Sequence, residues 1–235
     1  WYHVVGTYNG ATQEVWLYRN GVPHGSQSGS AATPITSDGR TLSVGARDDN
    51  GLGSFLNAAL DEVAFWNRSL SAQEVSQLYT MGAAKLGLQA RSCDDASCAG
   101  EPWSGPAGNG SMEIPAPALP AFSANGINGL GSPDNTTGLV GLWHLNNQTV
   151  GEYNGSHFED FSSVGNNLSC GGSGCPTSNS SGKLRSAFNF DGSDDRINIT
   201  SQSSLNPGAV TVAAWFKANT WSSAIGIEKE GQYRL

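Results

Sequence analysis

Alternation of apolar and polar positions predicts that the first eighty residues form a run of short β-strands. The strand-like segments cover residues 3–8, 14–18, 41–45 and 62–66. Asn20 and Gly21 follow the second segment, and Asn-Gly is the preferred pair of a type I′ hairpin turn. The pattern therefore indicates antiparallel strands joined by tight turns.

A single helical pattern interrupts these strands. Ser71 and Glu74 have the spacing of a capping box, in which each side chain accepts a hydrogen bond from the other residue's backbone N–H. Val75, Leu78 and Tyr79 then form a short apolar stripe at helical spacing. We expect this to be the only helix of any length.

The pattern changes twice in the rest of the chain. Residues 81–138 are rich in Gly, Ala, Pro and Ser, with strand candidates at 85–90 and 111–114. We interpret this stretch as a stiff connector with a small disulfide-pinned hairpin, the alternative being a disordered linker. Strand patterns return at residues 139–145, 186–190, 196–199 and 210–216. The last of these has no polar face, which predicts burial on both sides.

Composition supports an all-β protein and argues against nucleic-acid binding and against a membrane-spanning helix. Only 14% of the 235 residues are charged, only 37% are hydrophobic, and 31 are Gly, so turn-forming residues are in excess. The net charge of −8 argues against nucleic-acid binding, which needs Lys and Arg to replace phosphate counterions. No apolar run reaches the length of a membrane-spanning helix.

Cysteines and glycosylation sequons indicate an extracellular or cell-surface protein. Cys93 and Cys98 have the same spacing as Cys170 and Cys175, and of the three possible pairings we favour two local disulfides. Zinc is disfavoured because its sites more typically use closer cysteine pairs with nearby histidines. Secreted chains are glycosylated at Asn-x-Ser/Thr sequons, although Asn-rich turns also generate such triplets by chance. Eight candidate sequons begin at Asn67, Asn109, Asn135, Asn147, Asn154, Asn167, Asn179 and Asn198.

The order and spacing of several motifs resemble the laminin-G-like jelly-roll family of the concanavalin A-like lectin/glucanase superfamily. Residues 1–10, 16–21 and 60–71 are similar to the C-terminal half of such a domain. Residues 138–145, 160–167, 188–197 and 210–217 are similar to its N-terminal half. The resemblance implies a two-sheet jelly roll, with the C-terminal half at residues 1–80, the connector at 81–138 and the N-terminal half at 139–235.

Each half is too short to close a two-sheet sandwich alone, so three arrangements are open. The chain is an excerpt of a longer tandem array, or residues 139–235 complete one sandwich with residues 1–80, or neighbouring copies complete each other. The family usually has a further stretch between the positions that match Leu235 and Trp1, and its absence here leads us to favour the excerpt.

The chain lacks the residue patterns of the hydrolases that share this fold. The glucanases of the superfamily carry two glutamates on one strand, whereas Glu14, Glu62 and Glu74 are isolated here. We therefore expect no catalytic activity.

Calcium is the ion that the resemblance implies, because many sandwiches of this family hold it with loop acids. Three candidate ligands, Asp191, Asp194 and Asp195, lie within five residues on a Gly-containing loop, although an ordinary turn with solvated charges would have the same pattern. Asp160 and Asp61 occupy matching motif positions in the two halves and complete the candidate set.

Tryptophans supply candidates for ligand contact. Trp16, Trp66, Trp143 and Trp215 lie within predicted strands, where aromatic residues are commonly core. Trp103 and Trp221 lie in predicted loops and are the better candidates for stacking on a ligand.

These observations together predict a non-catalytic extracellular or cell-surface adhesion or structural module, part of a tandem array or fibre. Its partners would be other copies, adjacent repeats, glycans or surface proteins. The alternative is a carbohydrate-binding module of a secreted glycoside hydrolase or another surface enzyme.

Overall fold

The computed structural model describes residues 1–28, 41–47, 54–83, 85–88, 112–115, 136–147, 152–200, 202–219, 226–229 and 232–235. The strands within residues 1–138 are β1 Tyr2–Asn9, β2 Glu14–Arg19, β3 Val22–Ser28, β4 Leu42–Val44, β5 Asn57–Trp66, β6 Lys85–Leu88 and β7 Met112–Pro115. The strands within residues 139–235 are β8 Leu139–Trp143, β9 His157–Phe158, β10 Leu168–Ser169, β11 Thr177–Asn179, β12 Ala187–Asp191, β13 Ile197–Ile199, β14 Ala209–Ala218, β15 Ile227–Lys229 and β16 Tyr233–Arg234. The helix α1 spans Ala72–Ala83.

The chain divides into two compact units. The first comprises Trp1–Tyr79 with Pro133–Leu235, and the second comprises Thr80–Ser132. In the second unit, β6 and β7 form a two-stranded antiparallel sheet, which confirms the strand pairing predicted there. Cys93 and Cys98 lie outside the described residues.

The larger sheet of the first unit interleaves strands from both ends of the chain. Its order is β11-β12-β5-β14-β1-β2-β3, and β8 also pairs with β5. The strand β14 lies between β1 and β5, with Tyr2 opposite Phe216 and Asn9 opposite Ala209. Residues 139–235 thus pair with residues 1–80 inside one chain, which is the second of the three arrangements and differs from the favoured excerpt.

The smaller sheet packs against the larger one and closes the core. Its order is β16-β15-β4-β13-β10-β9. Large apolar side chains fill the space between the sheets, among them the fully buried Trp143, Phe65, Phe158, Phe188 and Phe190. The predicted burial of β14 on both faces is confirmed, because Val212 faces this core while Ala213 faces a second cluster on the other side of the sheet.

That second cluster lies beneath α1, on the outer face of the larger sheet. Val75 of the helix is fully buried there with Val5 and Trp66. The capping box is confirmed, because Ser71 N–H donates to Glu74 Oε2 (2.8 Å) and Glu74 N–H donates to Ser71 Oγ (3.3 Å). Within the described ranges, no helix is long and apolar enough to cross a membrane.

The hairpin turn between β2 and β3 also follows the prediction. Asn20 and Gly21 both have left-handed backbone conformations, with φ of 53° and 75°. A type I′ turn requires φ above zero at both central residues, which explains the Asn-Gly pair.

Candidate binding groove and acidic loop

Three of the five predicted calcium ligands meet on the loop between β12 and β13. One carboxylate oxygen from each of Asp191, Asp194 and Asp195 lies within 4.8 Å of the others. Gly192, with φ of 83°, turns the chain between them. Asp191 and Asp194 are exposed, while Asp195 is buried. This set of residues is called the acidic loop below.

Hydrogen bonds fix each carboxylate of the acidic loop. Asp195 Oδ2 accepts a bond from the Asp191 N–H (2.8 Å), and Asp191 Oδ1 accepts one from the Ser193 N–H (2.7 Å). Asp194 Oδ2 accepts a bond from the Ser173 hydroxyl (3.0 Å). Burial raises the pKa of Asp195, the Asp191 N–H opposes the rise, and the charges of Asp191 and Asp194 add to it.

The acidic loop fits a calcium ion as one part of its coordination shell. Calcium takes about six to eight oxygen ligands at flexible geometry. Within the described residues, each of the three aspartates keeps one oxygen that accepts no hydrogen bond. Three carboxylates close together repel one another, and a divalent cation removes that repulsion. Backbone carbonyls or water would have to supply the remaining ligands.

Asp160 is not part of this group, and its hydrogen bonds argue against its predicted role as a calcium ligand. It is buried, and its oxygens already accept four hydrogen bonds. The donors are the N–H groups of Leu142, Ser162 and Asn166 and the hydroxyl of Ser162, at 2.7–2.8 Å. A carboxylate whose lone pairs are filled in this way holds its own turn together and is not free for a metal ion.

Asp61 also lies apart from the acidic loop. It is fully buried on β5, where Oδ2 accepts a hydrogen bond from the Leu184 N–H (2.8 Å). Burial raises its pKa to about 9, and the adjacent Glu62 charge adds to the rise. The side chain is therefore protonated at neutral pH and is a poor calcium ligand.

Glu62 and His144 form a half-buried ion pair next to Asp61, with 2.7 Å between Oε2 and Nδ1. Burial lowers the pKa of His144, but the hydrogen bond and charge of Glu62 outweigh it and the net shift is upward. Glu62 itself has a left-handed φ of 52°, as do Leu145 and Arg185, with φ of 55° and 76°. This pair gives the glutamate that was isolated in the sequence a structural partner.

A polar groove lies beside the acidic loop, on the outer face of the smaller sheet. Its volume is about 490 Å³. Asn198 lines it from β13 and Arg196 from the position just before that strand, and the two alternate with the buried Ile197 and Ile199. Asp194 belongs to both the groove and the acidic loop. The other lining residues are Phe55, Ser169, Cys170, Gly171, Ser173 and Gly174.

A disulfide loop forms one wall of this groove. Cys170 and Cys175 are bonded, which confirms the local pairing predicted for the second cysteine pair. The loop is tied to the opposite wall twice, because the Arg196 N–H donates to the Gly174 carbonyl (3.0 Å) and Ser173 donates to Asp194. Sequence reasoning missed the groove, since its walls come from separate segments. The alternation of residues 196–199 is the signal that could have indicated Arg196 and Asn198 as solvent-facing.

The described tryptophans are mostly core, as predicted. Trp66, Trp143 and Trp215 are buried, whereas Trp16 is 36% exposed and its prediction as a core residue is wrong. The candidates for ligand stacking, Trp103 and Trp221, lie outside the described residues.

The sequons differ in how accessible their asparagines are. Asn67, Asn147 and Asn154 are exposed, Asn179 and Asn198 are half-buried, and Asn109 and Asn135 lie outside the described residues. Asn167 is exposed, but its amide binds the Asp160 N–H and the Glu159 carboxylate (both 2.9 Å). A glycan on Asn167 would therefore disturb the turn that Asp160 holds.

Comparison with known proteins agrees with the fold. Residues 1–76, about a third of the chain, match a laminin G family model described as the concanavalin A-like lectin/glucanases superfamily. No curated protein and no solved structure gives a significant match. The laminin-G-like resemblance and the two-sheet all-β fold are both confirmed. Residues 1–76 are thus similar to the concanavalin A-like superfamily, and at that level the similarity supports a carbohydrate-binding or adhesion module.

Proposed function

We propose that this chain is a non-catalytic extracellular adhesion module that binds glycans or surface proteins in the polar groove, with calcium bound at the acidic loop. The observation that carries the proposal is the position of Asp194, which lines the groove and belongs to the acidic loop. A cation that fixes this carboxylate also fixes one wall of the groove.

The chemistry of the groove supports recognition of a polar ligand. Arg196 supplies guanidinium donors, Asn198 supplies an amide, and Phe55 supplies an aromatic face.

Two of the glutamates that were isolated in the sequence have hydrogen-bonded or ion-pair partners in the structure. Glu62 pairs with His144, while Glu74 caps α1 and pairs with Arg68 at 2.7 Å. The extracellular location is supported by the Cys170–Cys175 disulfide and by the exposed sequons.

The adhesion role extends to assembly with other copies or adjacent repeats, in a tandem array or fibre. The runner-up is a carbohydrate-binding module of a secreted hydrolase or another surface enzyme, which the polar groove with its aromatic residue also favours. The two candidates differ in their ligands and in self-association.

Binding of the chain to immobilised glycans and purified matrix proteins, in calcium and in chelator, tests the proposal. Arg196→Ala and Asn198→Ala should each lower the affinity about tenfold or more, the usual loss for a hydrogen bond to a charged or buried group. Lys217→Ala, an exposed substitution on β14 in the other sheet, is the matched control.

Equal binding by Arg196→Ala and the control would contradict the groove as the site. Binding only to polysaccharide by a monomeric chain would favour the runner-up.

A further inference from the structure

A fully buried lysine lies in the core of the sandwich, where charged side chains are rare. Lys229, on β15, is 0% exposed. It lies opposite Leu42 of β4, and opposed residues on neighbouring strands share a face. Because Leu42 belongs to the core between the two sheets, the Lys229 side chain points into that core as well. Ile227, two residues earlier on the same strand, is also a core residue, as strand alternation requires.

The amine of this lysine is held against the side-chain amide of Asn206. Its Nζ donates a hydrogen bond to Asn206 Oδ1. The other end of the amide is also fixed, because Asn206 Nδ2 donates to the Gln202 carbonyl (2.8 Å). Two hydrogen bonds thus hold the amide in one orientation, and its carbon Cγ is one covalent bond away from the oxygen that the amine contacts.

The backbone on both sides of the Asn206 peptide group is fixed too. Its N–H donates to the Ser203 carbonyl (3.1 Å). Tyr233 of β16 lies opposite Lys229, and its hydroxyl donates to the carbonyl of Leu205, the residue before Asn206 (3.0 Å). Burial raises the pKa of Tyr233, so its phenol remains a protonated donor at neutral pH. The amine and the amide are therefore held beside each other by the residues around them.

This arrangement suits the attack of an amine on an amide carbon. A protein interior favours the uncharged form of an amine, and only that form has a lone pair that can attack a carbonyl carbon. Holding two reactants side by side replaces their encounter in solution, and it can supply an effective concentration of roughly 10⁵ M or more. Both conditions are met where the Lys229 amine contacts the Asn206 amide.

We propose that Lys229 and Asn206 join in an intramolecular isopeptide bond. The Nζ lone pair attacks Cγ and forms the Nζ–Cγ bond, the Cγ–Nδ2 bond breaks, and one Nζ proton passes to the leaving nitrogen, so that ammonia is released. The reaction needs no oxidant and no external reactant. The bond ties β15 of the smaller sheet to the segment that leads into β14 of the larger sheet. Like a disulfide, it restricts the unfolded chain, and its chemistry does not depend on the proposed adhesion role.

Mass spectrometry of the full chain, produced without glycosylation and with its disulfides reduced, tests the bond directly. The intact mass should be lower than the mass of the sequence by one ammonia. Lys229→Met and Asn206→Ala should each show the full mass of their own sequence, because each lacks one of the two reacting groups. Lys217→Ala removes an exposed lysine on β14 and is the matched control, which should keep the loss of ammonia. Circular dichroism establishes whether each variant is folded, and the measurement on the wild-type chain stands without them.

Tryptic mapping of the wild-type chain locates the bond and separates it from loss of ammonia at another asparagine. Trypsin cuts after Lys and Arg, so Asn206 lies in the peptide of residues 197–217, and Lys229 lies within residues 218–234. The bond should join these two stretches in one branched peptide and block cleavage after Lys229. Separate linear peptides with normal cleavage after Lys229 would overturn the proposal, as would an intact mass equal to that of the sequence.

Discussion

At the scale of single residues, the aspartates show how far environment decides chemistry. Asp160, Asp61 and Asp194 are the same residue type at motif-like positions. The Asp160 carboxylate accepts four hydrogen bonds, Asp61 is buried with a raised pKa, and Asp194 lines the groove. Only the last kind of environment suits a metal ion, and sequence motifs do not distinguish the three.

The raised pKa of Asp61 predicts a specific pH dependence of stability. A group whose pKa is raised on folding contributes stability below its unfolded pKa, and that contribution is lost as the pH rises through the folded value of about 9. Asp61→Asn cannot ionise. Its free energy of unfolding should therefore fall less than that of the wild-type chain between pH 5 and pH 9. The difference should exceed about 1.4 kcal/mol, the equivalent of one pKa unit.

Urea denaturation at several pH values measures this difference. Glu14→Gln, at an exposed position on β2, is the control and should leave the pH profile unchanged. Parallel profiles for Asp61→Asn and the wild-type chain would show that Asp61 is ionised throughout this range.

At the scale of elements, the acidic loop follows β12, and β12 packs closely against the end of β4. Gly45, which follows β4, has φ of 91°, and a Cβ atom there would lie 2.2 Å from the ring of Phe190 on β12. The residue is thus constrained both by its backbone conformation and by close packing.

Gly45→Ala should therefore destabilise the sandwich by about 3 kcal/mol, the combined effect of left-handed strain and overpacking. Gly25→Ala on β3 is the control, because no atom lies within 4 Å of its Cβ position and its φ is not left-handed. Guanidinium unfolding measures both variants. A change of less than about 1 kcal/mol for Gly45→Ala would contradict the close packing of β4 against β12.

The disulfide loop is a second element whose role can be separated from global folding. Cys170→Ser with Cys175→Ser removes a bond that closes only a short loop, so we expect a loss of about 2 kcal/mol or less in unfolding free energy. Affinity for the groove ligand should fall about tenfold or more, because the loop holds Ser173 and Gly174 against the opposite wall. Unchanged affinity would mean that the groove does not depend on this wall.

At the scale of the whole molecule, the sequence predicted elements better than their arrangement. Alternation located β1, β2, β5 and β14, and the lack of a polar face in β14 correctly indicated burial on both sides. Alternation cannot show which strands pair when they are far apart in the chain, so the position of β14 between β1 and β5 was one of three open arrangements.

The candidate site was predictable only where its residues are neighbours in sequence. Asp191, Asp194 and Asp195 share one loop, and their cluster is visible as a motif. The groove combines Phe55 with the 170–175 loop and β13, and no local pattern joins these segments.

Calcium binding is the most direct test of the central claim that the acidic loop and the groove form one calcium-dependent site. Isothermal titration of calcium into the chelator-treated chain should show about one ion per chain. Asp191→Asn with Asp194→Asn should abolish this binding, and Glu14→Gln, an exposed acid on β2, should retain it. Absence of calcium binding to the wild-type chain, or equal binding by all three proteins, would contradict the account.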